Sequence, residues 1–179
     1  MRGSRSTPRH GAARPPLRTA SPEGCAPALL LHLNYAVARR GLPAAVSFRR
    51  WIATALRVAG RGDTVELSVR IVGAREGRLL NRRYRGRDYA TNVLSFPVEL
   101  PAGVDLPLLG DIVLCAPVLA GEASAQGKRL AAHCAHLSIH GVLHLLGYDH
   151  RKRNDAARME ALEVAALAAV GIEDPYHPR

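Results

Sequence analysis

Short apolar segments in the first two thirds of the chain, one of which alternates strictly with polar residues, predict four strands. Every second residue from Val65 to Ile71 is apolar, as expected of a strand that buries one face. A loop over residues 97–110, which contains proline and glycine, is expected to join the last two strands. The four predicted strands cover residues 29–35, 65–71, 92–96 and 111–115.

Apolar residues at helical spacing predict five helices. Phe48, Ile52 and Leu56 recur at four-residue intervals and mark the buried face of the first helix. We expect Ser47 to be its N-cap and Gly60 to end it. Strands early in the chain and helices late favour an α+β fold, in which one domain has a mixed four-stranded sheet covered by about five helices. The other predicted helices cover residues 75–84, 117–126, 130–146 and 154–170.

The first 27 residues differ in composition from the rest of the chain. They are rich in Arg, Pro, Ser and Gly and show neither hydrophobic period, so we expect a disordered extension before a domain spanning residues 28–177. The extension is Arg-rich like an organelle transit peptide, but it lacks an amphipathic helix and contains several prolines. No apolar stretch reaches the length of a membrane span, so a soluble protein is expected.

The composition favours a nucleic-acid partner and a reducing compartment. The formal net charge of +10 suggests a polyanionic partner. Some of this charge lies in the N-terminal extension, and five more arginines crowd residues 78–87, where RNA contact and a solvated face both remain open. The three cysteines are widely spaced and no secretory segment precedes them, which is typical of a cytoplasmic protein with free thiols.

Three histidines late in the chain predict a catalytic metal site. His140 and His144 are four residues apart and therefore project from one face of a helix. Gly147 can end that helix in the left-handed conformation and bring His150 beside the other two. Three neutral imidazoles suit zinc or a neighbouring first-row metal and leave a coordination position for water. We therefore predict one catalytic divalent metal ion, whose water would ionise at about pH 7.

Other residues near these histidines leave alternatives open. His136 lies four residues before His140, but a set of His136, His140 and His144 would drift around the helix. His133 and His136 could also support the ligands, contact RNA or pack. Asp149 could orient a histidine or the water, or could be a turn residue. Cys134 is expected to be a small buried apolar residue and not a ligand.

The residue after His140 bears on the type of hydrolysis. The peptidase motif H-E-x-x-H has a glutamate base at this position, whereas this chain has Gly141. The base must then be metal-bound hydroxide or a group from elsewhere in the fold, and ester and amide hydrolysis both remain possible.

Four segments carry a family resemblance. They are H-G-V-L-H-L-L-G-Y-D-H at residues 140–150, N-R-R-Y-R-G-R-D-Y-A-T-N-V-L-S-F-P at 81–97, L-G-D-I at 109–112 and E-D-P-Y at 173–176. With these segments the chain closely resembles the YbeY family of bacterial single-strand-specific endoribonucleases, also described as rRNA maturation factors. The similarity runs from roughly Leu29 to Tyr176. Many members carry Asp where this chain has Asn92.

The resemblance implies a zinc-binding α+β fold with one Zn²⁺ held by His140, His144 and His150. It implies that these histidines and Arg85 are the catalytic residues, and a guanidinium could clamp a phosphate and stabilise its growing charge. The implied roles are cleavage of single-stranded RNA, 16S rRNA 3′-end maturation and ribosome quality control. The implied partners are rRNA and the small ribosomal subunit, with a ribosomal protein or an assembly GTPase as further candidates and no membrane.

Two other functions remain as alternatives from the sequence. One is a metallopeptidase-like amide hydrolase, which Gly141 and the basic composition oppose. The other is a non-catalytic ribosome assembly factor stabilised by its metal. The low aromatic content, 4%, argues against a base-stacking platform, so backbone charge and RNA shape are expected to set binding.

Overall fold

A computed structural model describes residues 28–101, 103–149 and 153–176. Within these ranges the chain forms four strands and five helices, which alternate as far as β3 and end in three consecutive helices. In chain order they are β1 (Leu29–Tyr35), α1 (Ala45–Val58), β2 (Val65–Val72), α2 (Ala74–Arg85), β3 (Val93–Pro97), β4 (Leu108–Cys115), α3 (Ala116–Ala125), α4 (Leu130–Leu145) and α5 (Arg153–Ala169). The predicted extension over residues 1–27 lies outside the described residues.

The strands form one mixed sheet in the order β1-β2-β4-β3. β1 pairs in parallel with β2, and β2 pairs in parallel with β4. β3 lies at the edge and pairs antiparallel with β4, with Val93 opposite Leu114 and Pro97 opposite Gly110. The predicted α+β fold with a mixed four-stranded sheet and five helices is therefore confirmed.

Helices cover both faces of the sheet, but the main core lies on one of them. There the inward-facing residues of β2 pack with α1, α4 and α5. α4 is buried over most of its surface, which explains why it is apolar nearly all round. On the other face, Leu80 of α2 and Val118 of α3 pack against a smaller cluster. Its members are Val72, Leu94, Val113 and Cys115.

The prediction that Ser47 caps α1 is wrong. The N-cap is Ala44, whose backbone is extended at φ −73° and ψ 159° and which makes no side-chain capping bond. Ser47 lies in the first turn and donates its backbone N–H to the Ala44 carbonyl at 3.0 Å. Ala45 and Val46 are exposed, so the first turn adds nothing to the apolar pattern that marked the helix.

β4 begins at Leu108, three residues earlier than the sequence predicts, so the loop over 97–110 is shorter than expected. Gly110, expected in the loop, pairs within the sheet with Leu67 and Pro97. Its φ is 143°, and an added Cβ would overlap the Phe96 carbonyl oxygen. The close approach of β3 therefore requires glycine at a position that sequence patterns assign to a turn.

Two further findings bear on the predicted environment of the protein. No helix within the described ranges is long and apolar enough to cross a membrane. Cys115 and Cys134 are buried and free, and burial raises the pKa of the Cys134 thiol to about 12. Cys134 is therefore a protonated, packed side chain at neutral pH.

Candidate metal centre

α4 brings the side chains of His140 and His144 together near its C-terminal end. Their ring centroids are 4.5 Å apart with an interplanar angle of 82°, and their Nε2 atoms lie 3.0 Å from each other. The helix ends just beyond, and Gly147 takes a positive φ of 91°, which allows the chain to reverse. The four-residue spacing thus produces the shared face that the helical period requires.

The opposite nitrogen of each ring faces an atom that can only accept a hydrogen bond. His140 Nδ1 lies 2.6 Å from Glu163 Oε1, and His144 Nδ1 lies 3.0 Å from the Tyr148 carbonyl oxygen. Each neutral ring therefore carries its proton on Nδ1, so that the two Nε2 lone pairs point towards each other. This tautomer is the one in which imidazoles bind a metal through Nε2.

The separation of these nitrogens fits a shared cation. Two zinc–nitrogen bonds of about 2.0–2.1 Å at a tetrahedral angle would place the nitrogens about 3.3 Å apart. The observed 3.0 Å is close to that separation. Two imidazoles that present lone pairs at this distance are a donor set that first-row divalent metals prefer.

Glu163 of α5 anchors one side of the site. Its side chain is 1% exposed, and its carboxylate accepts hydrogen bonds from His140 Nδ1 and the Tyr176 hydroxyl. Burial alone would raise the pKa of Glu163, but the nearby His136 and the hydrogen bonds from His140 and Tyr176 outweigh burial and lower the pKa to about 2. Glu163 is therefore an ionised carboxylate that orients His140.

A cavity of about 280 Å³ adjoins His140 between α5 and Tyr176. Ala156, Met159 and Glu160 complete its lining together with Glu163.

Tyr176 is a hydrogen-bond donor to Glu163. Burial raises the pKa of the Tyr176 hydroxyl, and the hydrogen bond to Glu163 raises it further. Tyr176 therefore stays protonated and serves as a donor at neutral pH.

The other two histidines of α4 have different surroundings. His136 Nε2 faces Glu163 Oε2 at 3.6 Å, and its ring centroid is 6.3 Å from that of His140. His133 is buried and contacts Glu122 Oε2 through Nε2 at 2.7 Å. Glu122 also accepts hydrogen bonds from Asn92 Nδ2 at 3.1 Å. Neither ring joins the close pair, so nothing in this arrangement favours the shifted ligand set.

The third proposed ligand, His150, lies outside the described residues. The described part of the chain contains no group of three His, Cys, Asp or Glu side chains that could hold a metal. The structure therefore brings two of the three predicted ligands together, and the third stays a prediction. Asp149 is described, and its proposed role beside His150 stays a prediction with it.

Arg85 is the last residue of α2 and is exposed. Within the described ranges it makes no hydrogen bond or ion pair, whereas Arg78 on the same helix pairs with Asp88 at 2.6 Å. The ring of the adjacent Tyr84 packs against Phe96 of β3 with centroids 4.8 Å apart. The guanidinium of Arg85 is thus available to an anion on the α2 side of the edge strand.

Gly141 connects this edge strand to the histidines. An added Cβ would lie 3.0 Å from Ile112 Cδ1 and 3.2 Å from Ser95 Oγ, so the residue after His140 faces the sheet. Ser95 and Phe96 are neighbours on β3. The end of α2 and the histidine pair therefore lie on opposite sides of the same edge strand.

Glu163 and Tyr176 were not among the candidate residues suggested by the sequence. A signal for Glu163 was present, because it falls in the buried stripe of α5 with Met159 and Leu167. A charged residue at a buried helical position usually has a specific partner. Tyr176 ends the E-D-P-Y segment of the family resemblance, but nothing in that segment indicates its contact with Glu163, which depends on how the chain returns after α5.

The chain is similar in sequence to known nucleases. A family model described as Endoribonuclease YbeY matches residues 42–171. The Endoribonuclease YbeY of Stenotrophomonas maltophilia strain K279a is 61% identical over 148 residues, which are 80% of this chain and 91% of that protein. The protein of the same name from Xanthomonas axonopodis pv. citri strain 306 is 58% identical over 148 residues, with the same coverage of both chains.

The fold is similar to a solved solution structure of a Thermotoga maritima protein. The match has a TM-score of 0.52 and 21% sequence identity, and it covers 83% of this chain and 100% of that one. At this identity the likeness concerns the fold alone. The family match, by contrast, contains Arg85 and all three predicted histidine ligands.

Proposed function

The chain belongs to the endoribonuclease YbeY family, and we propose that it cleaves single-stranded RNA with one divalent metal ion, expected to be zinc. Family membership makes it a nuclease that hydrolyses phosphodiester bonds. The observation that supports metal dependence is the pair of Nε2 atoms of His140 and His144, 3.0 Å apart, with both Nδ1 atoms held by acceptors. His140, His144 and His150 would hold the ion.

The residues of the chain prepare this chemistry by orientation and charge. Glu163 and the Tyr148 carbonyl fix the tautomers of His140 and His144, so that neither ring must rotate or lose a proton before binding a cation. A bound ion would polarise a phosphoryl oxygen and let water ionise near neutral pH. Arg85, exposed at the end of α2, would donate hydrogen bonds to the scissile phosphate and stabilise its charge during attack.

Gly141 argues against the peptidase alternative. Its Cα faces Ile112 and Ser95, so a glutamate at this position would point into the sheet and away from any substrate. The glutamate base of H-E-x-x-H enzymes therefore has no counterpart here. Nucleophilic water would lose its proton without help from the residue after His140.

We further propose that the substrate is rRNA of the small ribosomal subunit near its 3′ end, with roles in 16S maturation and ribosome quality control. The support is the family resemblance together with the net charge of +10, which favours association with RNA. A ribosomal protein or an assembly GTPase is proposed as the partner that brings the enzyme to this RNA.

Replacement of His144 tests the proposed metal chemistry. In nuclease-free, zinc-loaded protein, His144→Ala should lower cleavage of single-stranded RNA by more than about a hundredfold, because it removes a metal ligand. Elemental analysis should show about one metal per wild-type chain and much less in the variant. His32→Ala, which removes an exposed histidine of β1 far along the chain from these ligands, should leave the metal content unchanged.

Two outcomes of this experiment are decisive. Unchanged RNA cleavage by His144→Ala would overturn metal catalysis at this site. Arg85→Ala should retain its metal but lose cleavage, which separates phosphate stabilisation from metal binding.

A further inference from the structure

An exposed aromatic side chain marks the C-terminal end of α2. Tyr84 is 56% exposed, yet its ring is held in place by Phe96, with centroids 4.8 Å apart and an interplanar angle of 62°. The Arg83 guanidinium lies 5.6 Å from the same ring. A large aromatic surface that is both ordered by its neighbours and open to solvent is suited to stack with a planar ligand.

The charge around Tyr84 favours an anionic ligand. Arg82, Arg83 and Arg85 form no ion pair with any residue in the described part of the chain, and all three are exposed. Arg78, farther back on the helix, is paired with Asp88. A planar ring on a helix end that carries three guanidinium groups outside any salt bridge matches a nucleotide, which combines a flat base with a charged phosphate.

The space beside Tyr84 is large enough for a base. Tyr84 and Phe96 border an open groove of about 930 Å³ that runs over the α2 face of the sheet. Ser68 and Asn34 line the same groove and offer polar groups to a base edge, whereas the Arg70 guanidinium there is held by Glu76 and the Asn34 amide oxygen. A flat ligand can therefore reach the ring without displacing packed side chains.

β3 lies between this ring and the histidines. Phe96, which supports Tyr84, follows Ser95, whose Oγ lies against Gly141 beside His140. β3 pairs with β4 along one edge and has no strand on its other edge among the described residues. One RNA strand that crosses this free edge would contact both Tyr84 and the metal site.

We propose that Tyr84 stacks on an unpaired base of the RNA and thereby makes the enzyme prefer single strands. In a duplex both faces of each base are covered by neighbouring bases, so only an unpaired base can offer its face to the ring. This specificity role rests on the proposed RNA cleavage. The proposal differs from the expectation that the low aromatic content leaves no base-stacking surface, because one well-placed tyrosine is enough to provide such a surface.

Substitution of Tyr84 in the full chain tests this role. Stopped-flow anisotropy, which reads binding before cleavage, would compare a short labelled single-stranded RNA with the same strand annealed to its complement. Tyr84→Ala should weaken binding of the single strand by roughly tenfold and leave duplex binding unchanged. Tyr84→Phe keeps the ring and should bind both RNAs like wild type. Leu79→Ala removes another exposed side chain of α2, 58% exposed, and should also match wild type.

The outcomes distinguish this role from the proposed cleavage. Equal loss of single-strand and duplex binding in Tyr84→Ala, or no loss in either, would overturn stacking even if wild-type protein cleaves RNA. A selective loss that Tyr84→Phe restores would support stacking even if wild-type protein failed to cleave. Absence of any RNA binding by wild-type protein would overturn both.

Discussion

Glu163 is an ionised carboxylate whose own side chain is almost completely buried. Burial of an unpaired carboxylate costs on the order of several kcal/mol even after relaxation. Here the nearby His136 and the hydrogen bonds from His140 and Tyr176 offset that cost. The residue is more than a structural ion pair, because one of its oxygens fixes the proton of His140 on Nδ1. At the scale of single residues, this hydrogen bond decides which nitrogen can bind a metal.

Glu163→Gln should therefore weaken metal binding. A glutamine keeps the size of the side chain but removes the negative charge that makes His140 a better ligand, so zinc affinity should fall by about 10- to 100-fold. Competition with a chromogenic chelator would measure the zinc affinity, and circular dichroism would establish that the variant is folded. Glu99→Gln, which removes an exposed charge from the loop after β3, is the control. Equal zinc affinities in both variants would show that Glu163 does not act through His140.

Some of these residues could be predicted from the sequence and others could not, because local spacing is visible in a sequence and contacts between distant segments are not. His140 and His144 could be paired from their spacing, because a helix fixes the direction of side chains four residues apart. Glu163 is 23 residues from His140, and their contact depends on the packing of α5 against α4. The carbonyl of Tyr148, which holds His144, belongs to the backbone and so has no signature in a sequence motif.

At the scale of elements, α4 must approach the sheet closely for its histidines to lie at the edge strand. Gly141 makes that approach possible, since Ile112 and Ser95 occupy the space where its side chain would be. A helix-interior glycine ordinarily costs up to about 1 kcal/mol relative to alanine. Glycine is nevertheless required at this position, because the contact with β3 and β4 leaves no room for a methyl group.

A pair of glycine substitutions tests this interpretation of α4. Gly121 lies in α3 with nothing within 4 Å of an added Cβ, so Gly121→Ala should raise the free energy of unfolding by up to about 1 kcal/mol. Gly141→Ala gains the same helix propensity but forces Ile112 to move, so it should lower the free energy of unfolding by about 1 kcal/mol. Urea denaturation would measure both. Equal stabilisation by the two substitutions would contradict a tight contact at Gly141.

The ends of the elements were harder to predict than their existence. The helical pattern located α1. Its first turn is exposed and shows no apolar pattern, so Ser47 was wrongly predicted to be the N-cap. β4 was located by its apolar core, whereas its start at Leu108 depends on pairing with Glu66 and on the contact of Gly110 with β3. Such boundaries are set by neighbours distant in sequence, and local patterns do not contain them.

At the scale of the whole molecule, the two faces of the sheet carry different groups of residues. The face covered by α1, α4 and α5 holds the main core and supports the histidine pair. The other face carries α2 with its arginines and Tyr84. The order of elements predicted the fold class, but nothing in it predicted that Arg85 and His140 lie on opposite sides of one edge strand.

This division predicts where charge matters for RNA binding. If the α2 side holds the phosphates, the double variant Arg82→Gln, Arg83→Gln should flatten the slope of log affinity against log salt by about 1.4 for single-stranded RNA, about 0.7 per lost phosphate contact. The double variant Arg50→Gln, Arg57→Gln removes the same charge from exposed positions of α1 and should leave the slope nearly unchanged. Fluorescence anisotropy at several salt concentrations would measure all three slopes. Equal flattening by both pairs would mean that RNA responds to total charge, and the α2 side would lose its distinct role.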